Sequence, residues 1–75
     1  MSEDSDLLLS RIGLRVVRRR EELGLSQKDF AEKLQMASSS LSNIEHGERN
    51  LTIRTLCKLA EALEMTPAEL FTGTK

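Results

Sequence analysis

A short polar segment in the middle of the chain holds the side chains best suited to forming hydrogen bonds with a partner. Its outward members are Ser38, Ser39, Ser42 and Asn43. Leu41 and Ile44 lie among them at helical spacing, so in a helix these two apolar side chains face the core and the polar ones face outward. The segment therefore predicts a polar helical face on the outside of the protein.

Catalytic and metal chemistry have few candidate side chains. The chain has one histidine, His46, and one cysteine, Cys57, whereas zinc sites need clusters of such residues. It has no glycine-rich phosphate loop, and no set of nucleophile, base and orienting group can be assembled. We therefore expect no enzyme activity, no metal and no cofactor. His46 is expected at a helix C-terminus and Cys57 in the core.

The sequence also limits the compartment in which the chain would work. A single cysteine cannot form an internal disulfide, which fits a reducing cytoplasm. The longest unbroken apolar run, Leu7 to Leu9, is far too short for a membrane span or a signal peptide. We expect a cytoplasmic protein with no membrane partner, and no small-molecule pocket can be argued.

Charge is separated along the chain although the formal net charge is only −1. Five arginines fall between Arg11 and Arg20, and Arg49 and Arg54 form a second basic pair. Acidic residues gather near both ends of the sequence. A pI near 5.8 argues against nucleic-acid binding, but segregated charge can still create a basic face on a nearly neutral molecule.

Apolar spacing and capping residues predict an all-α fold with five helices in one domain over 1–75, with a core from 9 to 71 and frayed ends at 1–6 and 72–75. Helix one runs from Leu9 and ends at Gly24 in a left-handed cap. Helix two runs from Ser26 to about Gln35, with a capping box between Ser26 and Asp29. It buries Phe30, Ala31 and Leu34.

The second half of the chain predicts three further helices. Helix three runs from about Ser38 to His46, before Gly47. Thr52 caps helix four, and Thr66 and Pro67 open helix five. The predicted core stripe of helix four consists of Ile53, Leu56, Cys57, Ala60 and Leu63.

Several spaced motifs resemble the Cro and phage-repressor (XRE-type) family of helix-turn-helix proteins. They are Gly24-Leu25-Ser26-Gln27, Phe30-Ala31, Leu41-Ser42, Ile44-Glu45-His46-Gly47-Glu48-Arg49 and the apolar residues from Leu56 to Leu63. The resemblance covers about Ile12 to Phe71. It implies a compact five-helix bundle of the lambda-repressor type, in which helix two braces helix three and helix three enters the major groove of DNA.

The chain departs from the family pattern at three positions. Gln35 replaces a turn glycine and is expected to need a positive φ or a different turn. Ala37 replaces the usual Ser or Thr cap of helix three, at a cost of about 1 kcal/mol unless Ser38 serves instead. Arg19 replaces a leucine, and we expect its alkyl stem to cover the core while its charge reaches water.

The resemblance assigns roles to individual residues in double-stranded DNA binding. The positions that read base edges are Ser38, Ser39, Ser42 and Asn43, and Asn43 can form two hydrogen bonds with an adenine edge. The positions that contact phosphate are Gln27, Ser40, Arg49, Asn50 and Arg54, with Lys28 and Arg15 as weaker candidates. Each of these polar residues has the alternative of a purely solvated role.

The resemblance also implies one contact within the chain and one contact between two copies of it. Arg20 of helix one and Glu45 of helix three are expected to form a structural ion pair beneath the DNA-facing surface. Leu70, Phe71 and Glu64 are expected to form the interface of a homodimer that binds a palindromic operator. The off-core residues Leu7, Leu14 and Val17 are additional candidates for an interface.

The function implied is sequence-specific DNA binding and transcriptional regulation. The alternative is a protein-interaction module of the same fold, such as an antitoxin or a regulatory subunit, because fold alone does not fix function. Chain length and the segment Arg49-Asn50-Leu51-Thr52-Ile53 also resemble the small controller proteins of restriction-modification systems. The operator sequence, the regulated genes and the choice between repression and activation are not encoded in any motif.

Overall fold

The computed structural model describes residues 3–73, and these residues form an all-α bundle without strands. In chain order the helices are α1 (Glu3–Glu22), α2 (Gln27–Leu34), α3 (Ser38–Glu45), α4 (Ile53–Ala62) and α5 (Pro67–Thr72). The five-helix fold class and the helix-turn-helix formed by α2 and α3 are confirmed. None of these helices combines the length and the apolar content that crossing a membrane requires.

The ends of α1 differ in how well the sequence predicts them. Gly24 adopts the expected positive φ of 74° after α1 ends, and the Leu25 amide donates to the Arg20 carbonyl. The start at Leu9 is wrong, because α1 begins at Glu3. Within the ends expected to fray, residues 3–6 are helical and Thr72 ends α5, and the fraying itself stays a prediction. Residues 1, 2, 74 and 75 lie outside the described part of the chain.

Side-chain caps begin three of the shorter helices. Ser26 and Thr52 each accept a hydrogen bond from a backbone amide in the first turn. Thr66 and Glu69 form the complete capping box predicted for α5. In α2 only half of the predicted box is present: the Asp29 amide donates to Ser26 Oγ, without the return bond from the Ser26 amide to the Asp29 carboxylate.

The core lies where α1 packs on α3 and α5, α2 packs on α3 and α4, and α4 packs on α5. Its fully buried large side chains are Val16, Phe30, Leu34, Leu41, Leu59, Leu63 and Leu70. This arrangement holds α3 between α1 and α2, so only one side of α3 can reach solvent.

The core stripe predicted for α4 is partly wrong. Leu56, Ala60 and Leu63 are buried, but Ile53 is 74% exposed and Cys57 is exposed. Leu59, which the prediction omitted, is fully buried. Helical spacing fits both stripes, and the position of the neighbouring helices selects the one centred on Leu59 and Leu56.

Candidate nucleic-acid interface

The outward side of α3 carries the polar residues that the sequence predicts there. Ser38, Ser39 and Asn43 are exposed, and Ser42 is half-buried. On the opposite side, Leu41 and Ile44 are buried in the core. Short hydrogen-bonding side chains therefore line one side of a helix whose other side is fixed by packing, which is the geometry that base-edge contacts in a major groove require.

The start and end of α3 have different capping. Ala37 occupies the N-cap position and makes no side-chain cap, and Ser38 does not serve in its place, because it is already the first residue of α3. At the other end, His46 Nδ1 lies 2.7 Å from the Ser42 carbonyl oxygen and 3.4 Å from Ser42 Oγ. His46 is exposed, so its ring interacts with the helix end as expected from its position.

The turn between α2 and α3 contains the strained residue that the departure from the family pattern predicts. Gln35 has φ 58° and ψ 44°, the left-handed conformation that favours glycine. Its amide donates to the carbonyls of Ala31 and Glu32, and the Met36 amide also donates to the Ala31 carbonyl. The tight turn is therefore kept, with glutamine in place of glycine.

Arg20 and Glu45 join α1 to α3 below the polar face. Arg20 Nε lies 2.7 Å from Glu45 Oε2, and Arg20 Nη2 lies 3.4 Å from Glu45 Oε1. The two side chains are 12% and 3% exposed, so the pair is largely shielded from water. Arg20 Nη1 also donates to the Leu25 carbonyl at 2.9 Å. The guanidinium thus connects α1, α3 and the turn before α2 through charge-assisted hydrogen bonds.

Gln27, the first residue of α2, belongs to the same network. Its Nε2 donates to Glu45 Oε1 at 2.9 Å, and the side chain is half-buried. One of its amide protons is therefore engaged inside the protein, while the amide group keeps a second proton and a carbonyl oxygen. The phosphate contact remains a prediction, now for a side chain that Glu45 holds in place.

Two backbone approaches bring α1 unusually close to the C-terminal end of α3. A Cβ atom added at Gly13 would lie 2.5 Å from the Glu45 carbonyl oxygen and 2.6 Å from that of Ile44. A Cβ added at Gly47 would lie 2.7 Å from Ser10 Cα. Because the obstacles are backbone atoms, neither contact can be relieved by a side-chain rotation. Sequence reasoning did not single out Gly13, although a glycine inside a helix is itself a signal of close packing.

The other residues expected to contact phosphate, taken together with Arg19, divide into two groups. Arg49, Asn50 and Arg54 are exposed in the loop after α3 and the first turn of α4, and Lys28 is exposed in α2. Ser40 is half-buried beside that loop. All five keep their predicted phosphate roles as predictions.

Arg15 and Arg19 belong to the second group, in which the guanidinium serves the fold. Arg15 Nη1 donates to the Leu70 and Phe71 carbonyls at 3.0 and 2.8 Å, so it caps the end of α5, and its phosphate role stays a prediction. Arg19 Nε donates to the Leu63 carbonyl at 2.9 Å, a contact that the sequence did not predict, and its side chain is 32% exposed to the water that the prediction gave it. Both arginines satisfy carbonyls that a helix end leaves unpaired.

The predicted dimer residues are not equivalent. Leu70 is fully buried in the core of its own chain, so its side chain cannot contact a second copy, and that assignment is corrected. Phe71 is 45% exposed, and Glu64 is exposed with φ 60° after α4. Both remain candidates. Leu7 and Leu14 are about half exposed on α1, away from the core.

Comparison with known proteins matches most of this chain to one family of helix-turn-helix domains. The helix-turn-helix family model HTH_3 matches residues 16–70, which include α2, α3 and α4 completely. The chain belongs to this helix-turn-helix family. The match begins inside α1, so the first half of α1 lies outside the region that the family model describes.

Similar proteins within the helix-turn-helix family are transcriptional regulators and restriction-modification controllers. An uncharacterized HTH-type transcriptional regulator of Sinorhizobium fredii, y4dJ, is 38% identical over 84% of this chain and 82% of its own length. The crystal structure of the controller protein C.AhdI from Aeromonas hydrophila has a TM-score of 0.78 at 36% identity, covering 84% of this chain and 96% of that one.

A third relative has been solved with DNA. The controller protein C.Esp1396I, as a tetramer in complex with its natural 35 base-pair operator, has a TM-score of 0.76 at 33% identity, covering 88% of this chain and 87% of that one. These relatives are regulators rather than enzymes. Their similarity extends over most of the chain, beyond the helix-turn-helix pair alone.

Proposed function

We propose that the chain is a sequence-specific DNA-binding transcriptional regulator that acts as a homodimer on a palindromic operator in the cytoplasm. The observation that carries this proposal is the exposed polar side of α3, with Ser38, Ser39 and Asn43 facing solvent above a buried apolar side. The relatives that regulate transcription and the operator complex of C.Esp1396I support the same conclusion.

In this proposal α3 lies in the major groove and its neighbours contact the DNA backbone. Asn43 pairs with a base edge, and the serines add shorter contacts that accept or donate hydrogen bonds. Arg49 and Arg54 contribute charge that raises affinity for any sequence and makes binding depend on salt. The small number of base contacts available to one short helix is the reason for a two-fold dimer.

Selection of bound sequences from a random DNA pool tests the proposal most directly. A two-fold symmetric consensus with half-sites about one helical turn apart is the expected result. The salt dependence of binding to the selected site should then fall by about one counterion for Arg49→Ala or Arg54→Ala. Asn43→Ala should instead relax the choice of base at one position in each half-site.

The competing function is an interaction module that uses the same fold to bind another protein. If the selection enriches no sequence and the chain binds every DNA tested with the same salt-dependent affinity as random DNA, that outcome would favour the interaction module over an operator-binding protein. The exposed residue Lys58 of α4 supplies a control, because Lys58→Ala lies outside the proposed contacts and should leave the selected consensus unchanged.

Within transcriptional regulation, we propose the role of a restriction-modification controller. Support comes from two such controllers that are 36% and 33% identical over most of the chain. Footprinting on the DNA upstream of the gene tests this role, and restriction and modification genes next to the protected site are the expected result. Protection upstream of unrelated genes would support the role of transcriptional regulator and contradict the role of restriction-modification controller.

A further inference from the structure

The outward side of α3 continues past the last helical residue, to His46. His46 follows Ser42 by four positions and Asn43 by three, and its backbone stays close to helical, with φ −87° and ψ 0°. Side chains three and four residues apart lie on the same side of a helix. The exposed ring of His46 therefore extends the polar side that Ser42 and Asn43 belong to.

A hydrogen bond determines which nitrogen of the His46 ring carries a proton. The Ser42 carbonyl oxygen accepts from the His46 amide at 3.0 Å and lies 2.7 Å from His46 Nδ1. A carbonyl oxygen has two lone pairs and can only accept, so Nδ1 is the donor in this contact. The other ring nitrogen, Nε2, is left for a partner. It is an acceptor in the neutral ring and a charged donor in the imidazolium.

The surroundings of His46 supply no carboxylate that would pair with its charge. His46 forms no ion pair within residues 3–73, and the neighbouring Glu45 points inward to Arg20 and Gln27. The helices α1 and α2 meet this end of α3 at Ser10 and Gln27. The charged residues of the following loop, and those within one turn of these two positions, are all exposed: Glu48, Arg49, Asp6, Arg11, Lys28 and Asp29.

The C-terminal end of α3 otherwise lacks a positive charge for DNA. Its last turn contains no basic residue, and the free carbonyl groups of a helix C-terminus carry partial negative charge, which is unfavourable beside phosphate. His46 is the single histidine of the chain. Its imidazolium would place a positive charge at this end of the helix, on the same side as the base-reading residues.

We propose that His46 contacts DNA and that its imidazolium form donates a hydrogen bond from Nε2 to an acceptor on the duplex, either a phosphate oxygen or the edge of a guanine. The inference rests on the DNA-binding function proposed above and adds a residue that the sequence assigned only to a helix end. The neutral ring turns a lone pair toward the same acceptor. DNA binding therefore takes up a proton at each copy of His46 and strengthens as the pH falls.

Fluorescence anisotropy of the full chain on its selected operator, at constant ionic strength, tests this contact. The affinity of the wild type should rise at least about tenfold between about pH 8 and about pH 6, because a charged donor forms the stronger hydrogen bond. His46→Gln keeps a polar side chain that cannot become charged, so its affinity should change less than about twofold over the same range.

Cys57→Ser is the matched control for this pH range. A thiol is the other side chain of this chain that can change charge near neutral pH, and Cys57 lies on the exposed side of α4 outside the proposed contacts. This variant should keep the pH dependence of the wild type.

Repeating the selection from a random DNA pool at the two pH values distinguishes the two acceptors. A guanine that is enriched in each half-site only at the lower pH, and not with His46→Gln, would identify a base edge. An unchanged consensus, with a salt dependence larger by about one counterion per copy at the lower pH, would identify a phosphate. Both results support the proposal.

An operator affinity that is equal at the two pH values, or a pH dependence that persists in His46→Gln, would overturn the role of His46 and leave the DNA-binding function standing. Thermal denaturation without DNA tests the purely structural role, in which the imidazolium only stabilises the end of α3. A His46-dependent melting temperature together with a pH-independent affinity would assign the ring to that role. A selection that enriches no sequence at either pH would instead refute the DNA-binding function, and the contact with it.

Discussion

The two sides of α3 differ in almost every physical respect. The inner side is fixed by buried Leu41 and Ile44, by the ion pair of Glu45 with Arg20 and by backbone contact with Gly13. On the outer side, Asn43 and Ser38 are exposed and form no side-chain hydrogen bond within residues 3–73. Stability and recognition are therefore assigned to different residues of one eight-residue helix, and substitutions on each side should have separable effects.

Glu45→Ala should have the largest effect on stability. The substitution leaves the shielded Arg20 guanidinium without its carboxylate and also removes the acceptor of Gln27. We expect the free energy of unfolding to fall by about 3–5 kcal/mol, with a loss of DNA affinity as α3 loosens. Thermal denaturation followed by circular dichroism measures the first effect. Glu32→Ala, at an exposed position of α2, is the control; equal melting temperatures for Glu45→Ala and the wild type would contradict the assignment of the pair to the inner side.

Gly13→Ala should lower both stability and DNA binding. The added methyl group collides with the Ile44 and Glu45 carbonyls, so α1 and α3 must separate at a cost of about 1–3 kcal/mol. Gly24→Ala provides the comparison, because its Cβ meets nothing within 4 Å and its cost comes only from the positive φ. Denaturant titration and DNA titration should show a stability loss for both variants and a weaker DNA affinity, measured on the folded protein, only for Gly13→Ala. Full affinity in Gly13→Ala would mean that this contact does not position α3.

Asn43→Ala should act on binding alone. Losing a pair of hydrogen bonds to a base weakens operator affinity by about 1–3 kcal/mol. The exposed side chain forms no hydrogen bond within residues 3–73, so the free energy of unfolding should shift by less than about 0.5 kcal/mol. Fluorescence anisotropy with the selected operator and with a random duplex separates the two affinities. A loss of unfolding free energy as large as the loss of binding free energy would assign Asn43 to the inner, structural side of α3.

Ala37→Ser should produce the smallest effect and a gain. Ala37 precedes α3 with extended backbone and no side-chain cap, so a serine hydroxyl can accept from a first-turn amide. The expected stabilisation is about 1 kcal/mol. Denaturant unfolding measures it, with Ala37→Val as a control that cannot cap. No gain from serine would show that the start of α3 is already satisfied by other means.

The sequence predicts the parts of the fold that depend on local signals. Caps at Ser26, Thr52 and Thr66 are local, and so is the left-handed turn at Gln35, since each follows from a residue and its near neighbours. The outward face of α3 also follows from spacing within eight residues. These features could be predicted because tertiary packing does not compete with them.

Features set by distant parts of the chain could not be predicted in the same way. Cys57 and Leu59 both fit a helical stripe, and only the positions of the other helices expose the first and bury the second. Arg15 meets acceptors in α5, and Arg19 meets one at the end of α4, contacts that no local pattern indicates. Ile53 was assigned to the core for the same reason and is 74% exposed instead.

The long sequence separation of the Arg15 contact has a consequence for biosynthesis. Its acceptor at Leu70 is made 55 residues later, so α1 emerges well before the helix that packs against it and receives this hydrogen bond. Stalled or shortened chains would expose the apolar side of α1 and be targets for proteases. Chains that end before α5 should therefore be degraded faster than chains that include it.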